Sequence, residues 1–401
     1  MATKTVVILG AGFTGLPLAH KLLIYTAPKT KLKVILVSPS SKFYWNLAAT
    51  RGVIPGAIPD DQLFIPIEPA LSRHPSEGWD FVLGKATSIM PETNSVDVVL
   101  NSGDQQTIAY DQLVIATGSH VSGGSLPFKL IGTADETVAA LHTLQERIGA
   151  AKSVVVAGSG PTGVEAAGEL AAFYGRTKAI TLVSASEHVL AGSNVSAALA
   201  NTVEQDLRKL GVKVLANTKV VEIRGVAEGE KDGEFSEGSI VLTLSSGSTL
   251  TADVYLPLFG VRPNTDLVPP QLLDEAGNVK LEKTTMRVIG TDNIWGIGDI
   301  GDLEPKQVTN TDAQITFLAD ALDQVLTGNG QGAAAAKSPA KEYKPLDKTM
   351  IFLSLGPKYG TGQVGGWKLW GWMVNYVKGR RIFVDTAPDY VAGRKLRHAS
   401  M

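Results

Sequence analysis

Gly10-Ala11-Gly12-Phe13-Thr14-Gly15 follows the apolar run Val6-Val7-Ile8-Leu9 and opens an Ala- and Leu-rich stretch. Further along, Gly158-Ser159-Gly160-Pro161-Thr162-Gly163 follows Val154-Val155-Val156-Ala157 and opens a second such stretch. Each is a G-x-G-x-x-G at the joint between a buried strand and a helix, the setting in which this spacing binds a dinucleotide. The first glycine makes the tight turn. The second lets the backbone approach a pyrophosphate, and the third lets the helix close onto the sheet. The helix start then offers its unpaired N–H groups to the phosphates.

One such motif is a weak signal. Two in one chain predict an α/β fold with two Rossmann-like units, each holding a dinucleotide. The second strand of the first unit, Lys33–Val37, ends at Ser38, where an acid usually holds a ribose hydroxyl. The corresponding strand of the second unit, Ala179–Val183, ends at Ser184. Neither an acid favouring NADH nor an arginine favouring NADPH stands there, so the second cofactor is NADH or NADPH. Glu165 and Glu169 lie one turn apart on a predicted helix over 162–174. That spacing has two readings: a solvated face with two like charges, or Glu165 close to the nicotinamide at the helix start.

The chain has 401 residues, enough for two to three domains. A net charge of −2 gives it no nucleic-acid signature. It has no cysteine, which excludes disulfides, thiolate catalysis and thiolate metal sites. The six histidines form no H-E-x-x-H-like spacing, so no metal site is expected. The first strand begins by about Val6, leaving no room for a signal peptide. Ala2 stands where N-myristoylation needs glycine. No run of 18 apolar residues predicts a membrane span. A cytoplasmic chain, peripheral to a membrane at most, is the expectation.

Two more motifs extend the pattern. Asp111-Gln112-Leu113-Val114-Ile115-Ala116-Thr117-Gly118 reads as a buried strand ending in Ala-Thr-Gly, and Ile294-Trp295-Gly296-Ile297-Gly298-Asp299 ends in Gly-Asp. With the two glycine turns they resemble the two-dinucleotide flavoprotein reductases, the family of glutathione reductase and type II NADH dehydrogenase. That resemblance implies FAD on the first unit and NAD(P)H on the second, with Asp299 at the ribityl–phosphate region of FAD. It also implies a domain order: an FAD domain from 1–122 and 258–330, an NAD(P)H domain at 123–257, and a C-terminal α+β segment from about 340 covering the flavin.

Phe43-Tyr44-Trp45-Asn46-Leu47-Ala48-Ala49-Thr50-Arg51 looks like the F-x-x-N-x-A-A-x-R segment of the apoptosis-inducing-factor-like branch. Pro305-Lys306, Gly360-Thr361-Gly362-Gln363 and Lys378-Gly379-Arg380-Arg381-Ile382-Phe383-Val384 extend the similarity to the ferroptosis suppressor group and its fungal members. The resemblance implies an FAD-dependent NAD(P)H:quinone oxidoreductase. It places Asn46, Arg51 and Ala86 against FAD and Lys378 near the isoalloxazine. Ala116, Thr117, Gly118 and Gly260 complete the expected cofactor-binding set, beside the glycine turns, Ser38, Gly298 and Asp299. Two rival readings are a biosynthetic flavoenzyme with one dedicated substrate and a redox-sensing flavoprotein. Glu228–Glu237 reads as an acidic surface excursion and Gly328–Lys341 as an Ala/Gly-rich linker.

Without cysteine, the disulfide reductases of this family are excluded, and electrons must pass from the flavin directly to a diffusible acceptor. NAD(P)H gives hydride to flavin N5, and a quinone-type acceptor is then reduced; the organic chemistry belongs to the cofactors. Lys378 is then either a solvated lysine in a basic run or a cation that stabilises charge at the flavin N1/C2 edge. Lys378 and Glu165 are the two expected catalytic residues.

Three of the six tryptophans, Trp367, Trp370 and Trp372, fall close together near the C-terminus, with Tyr376 beyond them. From 367 onward stand seven cations, Lys368, Lys378, Arg380, Arg381, Arg394, Lys395 and Arg397, against Asp385 and Asp389. Aromatics interleaved with cations suit a membrane interface, a wall of the acceptor site or a homodimer face. Simple packing on the first unit is the fourth reading.

Overall fold

A computed structural model describes residues 2–225, 239–328, 341–346 and 349–394. The expected acidic excursion at 228–237 lies outside them, as does the 328–341 linker except for its two ends.

The strand β1 (Lys4–Leu9) is central to a seven-stranded sheet. It pairs in parallel with β2 (Leu32–Ser38) on one side and with Gln112–Ile115 on the other. Ile294–Gly296 closes one edge in parallel, Trp79–Met90 follows β2 in parallel, and Ser95–Leu100 and Gln105–Ala109 finish the other edge antiparallel. Burial on both faces explains the unbroken apolar run of β1. Val6 and Ile8 enter one core with Leu16, Leu18 and Leu36, while Val7 and Leu9 enter another with Leu113 and Ile115.

The helix α1 (Gly15–Lys21) follows the first glycine turn and continues as a π-helical turn over Leu22–Thr26. It returns the chain to β2, as a right-handed parallel crossover requires.

The second glycine turn sits in a smaller parallel sheet ordered Lys213–Leu215, Ala179–Val183, Ser153–Ala157, Val254–Pro257. The 14-residue helix Pro161–Tyr174 follows the turn, one residue longer at its start than the sequence suggests. A three-stranded antiparallel sheet, Val220–Arg224, Ile240–Leu244 and Thr249–Ala252, covers one face. Two segments connect the sheets, and they pair with each other: Ser119–Val121 runs antiparallel to Val261–Pro263.

Beyond the 20-residue helix Val308–Thr327, the C-terminal part is a three-stranded antiparallel sheet. Its strands are Met350–Ser354, Gly360–Val364 and Trp367–Leu369. Short helical turns from Gly371 to Val391 follow. The last of these is tied to the first unit through His20, whose Nε2 donates to the Val391 carbonyl at 2.8 Å. Because a carbonyl can only accept, the neutral His20 ring carries its proton on Nε2. The 2.8 Å contact between its Nδ1 and His74 Nε2 is then donated by His74.

Candidate active site

The two glycine turns have the same local anatomy. Gly10 and Gly158 take φ of +108° and +113°, and a Cβ on either would overlap a carbonyl of the neighbouring strand, Ala116 or Leu258. Only glycine is unstrained there. A Cβ on Gly15 would strike the Gly10 carbonyl, and one on Gly163 the Gly158 carbonyl. The middle glycines differ from these: nothing lies within 4 Å of a Cβ built on Gly12 or Gly160. The outer pair fix the turn, and the middle one leaves open space where a pyrophosphate would lie. Ser38 and Ser184 also behave alike. Each folds its hydroxyl back to the carbonyl two residues on, Ser40 at 3.1 Å and Ser186 at 2.9 Å.

A cavity of about 1150 Å³ runs from the first glycine turn to the start of helix Pro161–Tyr174 and on to the C-terminal sheet. Of the residues expected at cofactors, Gly10, Gly12, Phe13, Thr14, Ser38, Asn46, Ala86, Ala116, Thr117, Gly118, Pro161, Thr162, Gly298 and Asp299 line it. So do both expected catalytic residues, Glu165 and Lys378. Gly15, Gly158, Gly160, Gly163 and Gly260 do not. Gly260 instead belongs to the connection between the sheets, where its carbonyl accepts from Ser122 N–H at 3.2 Å.

Arg51 is also absent from the cavity wall, contrary to the expectation that it touches FAD. Its guanidinium is buried and committed elsewhere. Nε donates to Glu169 Oε2 at 2.8 Å and Nη2 to Glu169 Oε1 at 2.9 Å. Nη2 also reaches the Gly379 carbonyl at 2.6 Å, and Nη1 the Arg380 carbonyl at 3.0 Å. The reading of Glu165 and Glu169 as a solvated face is corrected as well, since both are buried. Buried carboxylates need cations and donors, and here each has them from distant parts of the chain.

Glu165 Oε1 accepts from Lys378 Nζ at 2.7 Å and from the Ser354 N–H at 2.7 Å. Lys378 Nζ donates also to the Phe352 carbonyl at 2.9 Å, so it is not a solvated surface lysine. Burial pushes the Glu165 carboxyl above the ordinary range, against the opposing pull of Lys378. Ser354 serves both acids, because its hydroxyl donates to Glu169 Oε1 at 2.5 Å.

At the far end, Asp299 Oδ2 accepts from Ser119 Oγ at 2.6 Å and Lys129 Nζ at 2.9 Å. Burial works to raise this carboxyl, but Lys129 and the Ser119 hydroxyl outweigh it and hold it below the usual range. The Ala116-Thr117-Gly118 turn is locked by Asn264: Thr117 Oγ1 donates to its carbonyl at 2.7 Å, and its Nδ2 donates to the Thr117 carbonyl at 2.8 Å.

Sequence reasoning missed Thr50, Lys129, Ser354 and the ion-pair role of Glu169. Thr50 lies inside the quoted 43–51 segment and lines the cavity. Its Oγ1 is buried, and no partner for it is found among the described residues. An orphaned hydroxyl of this kind calls for a ligand or a water. With the open face of Gly12 on the same cavity, it makes the site fit a bound dinucleotide.

Comparison with known proteins agrees with this fold. The profile of the pyridine nucleotide-disulphide oxidoreductases matches residues 4–314. The oxidoreductase ptaL of Pestalotiopsis fici is 38% identical over 397 residues, covering 98% of this chain and 100% of that protein. Ferroptosis suppressor protein 1 of Taeniopygia guttata is 27% identical over 95% of this chain and 94% of its own length. Among solved structures, the sulfide:quinone oxidoreductase of Aquifex aeolicus superposes with a TM-score of 0.74 at 19% identity, covering 98% of this chain and 92% of that one.

Proposed function

Since the chain belongs to the pyridine nucleotide-disulphide oxidoreductase family and is an FAD-dependent NAD(P)H oxidoreductase, we propose that its electrons leave to a quinone-type acceptor without any thiol. The redox chemistry, hydride uptake from NAD(P)H and onward electron transfer, would be supplied by FAD when bound. The protein supplies position and electrostatics.

The observation that carries this reading is the Lys378–Glu165 pair on the cavity wall, 2.7 Å apart. In a disulphide reductase a cysteine pair would relay the electrons. Here no cysteine exists, and the C-terminal part presents Ile351 and Phe352 from its first strand and Lys378 from the helical turn Asn375–Gly379 to the cavity. Apolar and aromatic side chains around one ammonium group suit a planar acceptor whose carbonyl oxygens gain negative charge on reduction. Glu165 orients that ammonium, and the Phe352 carbonyl fixes its second bond. Gly12 and Thr14, which line the cavity beside the start of α1, would hold the pyrophosphate of FAD. Pro161 and Thr162, at the start of helix Pro161–Tyr174, line the same cavity and would meet the nicotinamide cofactor.

The test mixes the purified flavoprotein with NADH and a short-chain ubiquinone while nicotinamide absorbance is followed. Quinone-dependent oxidation well above the rate with oxygen alone is expected. Rapid flavin reduction with no turnover on any quinone would overturn the proposal and favour a dedicated biosynthetic substrate. A long-lived charge-transfer complex under oxygen would favour redox sensing.

A further inference from the structure

The segment that carries Lys378 inward carries its aromatic residues outward. Trp367, Trp370, Trp372 and Tyr376 are 83%, 71%, 69% and 72% exposed. Trp370 and Trp372 stack on each other with ring centroids 6.2 Å apart. This is not a loosely placed tail, since Val374 and Ile382 of the same segment are fully buried and Trp45 Nε1 donates to the Ile382 carbonyl at 3.1 Å. Leaving three indoles in water on a firmly held segment is costly, and a contiguous exposed aromatic patch marks an interaction surface.

Charge identifies the partner. Between 366 and 384 stand four cations and no acid. Lys378 is paired inward with Glu165, while Lys368, Arg380 and Arg381 lie at the surface around the aromatics. A second copy docking on this face symmetrically would press those cations against their own equivalents, which an isologous interface disfavours. Indole rings prefer the boundary between headgroups and acyl chains, and exposed lysines and arginines beside them attract anionic headgroups. Among the described residues no helix is long and apolar enough to cross a membrane, so contact would be shallow. A recess of about 460 Å³ lined by Tyr359, Lys368, Trp370 and Trp372 offers one ammonium among aromatic walls, room for an anionic headgroup.

We propose that this aromatic and cationic face docks on the surface of an anionic lipid bilayer. The proposal is independent of which acceptor the flavin serves.

The experiment is co-sedimentation of the flavin-loaded full chain with phosphatidylcholine vesicles, with and without phosphatidylserine, at low and high salt. The protein should pellet with phosphatidylserine vesicles, be released by salt, and show a blue-shifted tryptophan emission when bound. W370S/W372S and, separately, K368E/R381E should each lower the bound fraction by about tenfold or more. Both variants should keep the wild-type flavin spectrum and wild-type turnover with a water-soluble quinone, which separates failed docking from misfolding and from failure of the acceptor reading. Wild-type protein left in the supernatant would overturn the proposal, as would W370S/W372S pelleting like wild type. A dimer in solution that W370S/W372S converts to monomer, with no vesicle binding by either, would assign the face to a second copy instead.

Discussion

The glycines of the first turn predict opposite phenotypes for the same small change. Gly10→Ala meets both a positive φ and the Ala116 carbonyl, and should lose about 2 kcal/mol or more of stability in denaturant unfolding. Gly12→Ala meets nothing in the protein. It should unfold within about 0.5 kcal/mol of wild type yet release FAD more readily, seen as flavin lost on gel filtration. Equal stability of the two variants would refute the division of labour. At Lys378 the expectation concerns rates. Lys378→Ala should slow acceptor reduction in stopped flow more than it slows flavin reduction by NADH, and wild-type rates in both half-reactions would reject its role. The glycine roles were legible in the sequence because turn geometry is local. The fate of Arg51 was not, because its partners Glu169 and Ser354 stand 118 and 303 positions away along the chain.

The helix Pro161–Tyr174 shows how far periodicity carries. Spacing alone put Glu165 and Glu169 on one face, which the structure bears out. It could not say whether that face meets water. The C-terminal sheet decides it, by setting Ser354 against the helix with its N–H on one acid and its hydroxyl on the other. Arg51 is the cation that offsets the burial of Glu169, with the Ser354 hydroxyl and Gly356 N–H as further donors. Glu169→Ala should therefore destabilise by about 3–5 kcal/mol, since it strands a buried guanidinium. In a double-mutant cycle with Arg51→Ala the two losses should be strongly non-additive. Additive losses would mean the pair is not coupled. The strands were the easier part: β1, β2, Gln112–Ile115 and Ser153–Ala157 all follow runs of apolar or β-branched residues, whereas the antiparallel ribbon between the sheets is only three residues a side and leaves no periodic trace.

Across the whole molecule, two of the ties that fasten the C-terminal part stand out. One is the Arg51–Glu169–Ser354 cluster, and the other is His20, which holds the last helical turn. Burial lowers the His20 imidazole to about 4, with the nearby His74 and Arg73 adding to the effect and the Val391 carbonyl opposing it. The native state thus keeps the ring neutral while the unfolded chain protonates it near the ordinary histidine value. Stability from this site is complete above about pH 6.5 and is lost as the pH falls towards about 4, by about 3 kcal/mol in all. Limited proteolysis along an acid titration should cut the C-terminal turns before the central sheets, and His20→Asn should flatten that dependence. Wild-type resistance unchanged across the range would contradict it. Nothing in the sequence marks His20 for this duty; a lone histidine acquires it only because Val391 folds back onto α1.

The paired acids of helix Pro161–Tyr174 also impose an order of events during synthesis. Both carboxylates are in the chain long before the ribosome has made Ser354 and Lys378, and Arg51 alone cannot serve the two. Until the last strand and turn emerge, the helix cannot settle against its final neighbours without burying an uncompensated charge. The nascent protein should therefore wait, with its two sheets formed and the space between them still wet, until the final residues arrive. Chains cut ahead of Met350 should keep sheet circular dichroism but remain protease-sensitive within 161–174. A truncated chain as resistant there as the full protein would show that the helix closes without its late partners.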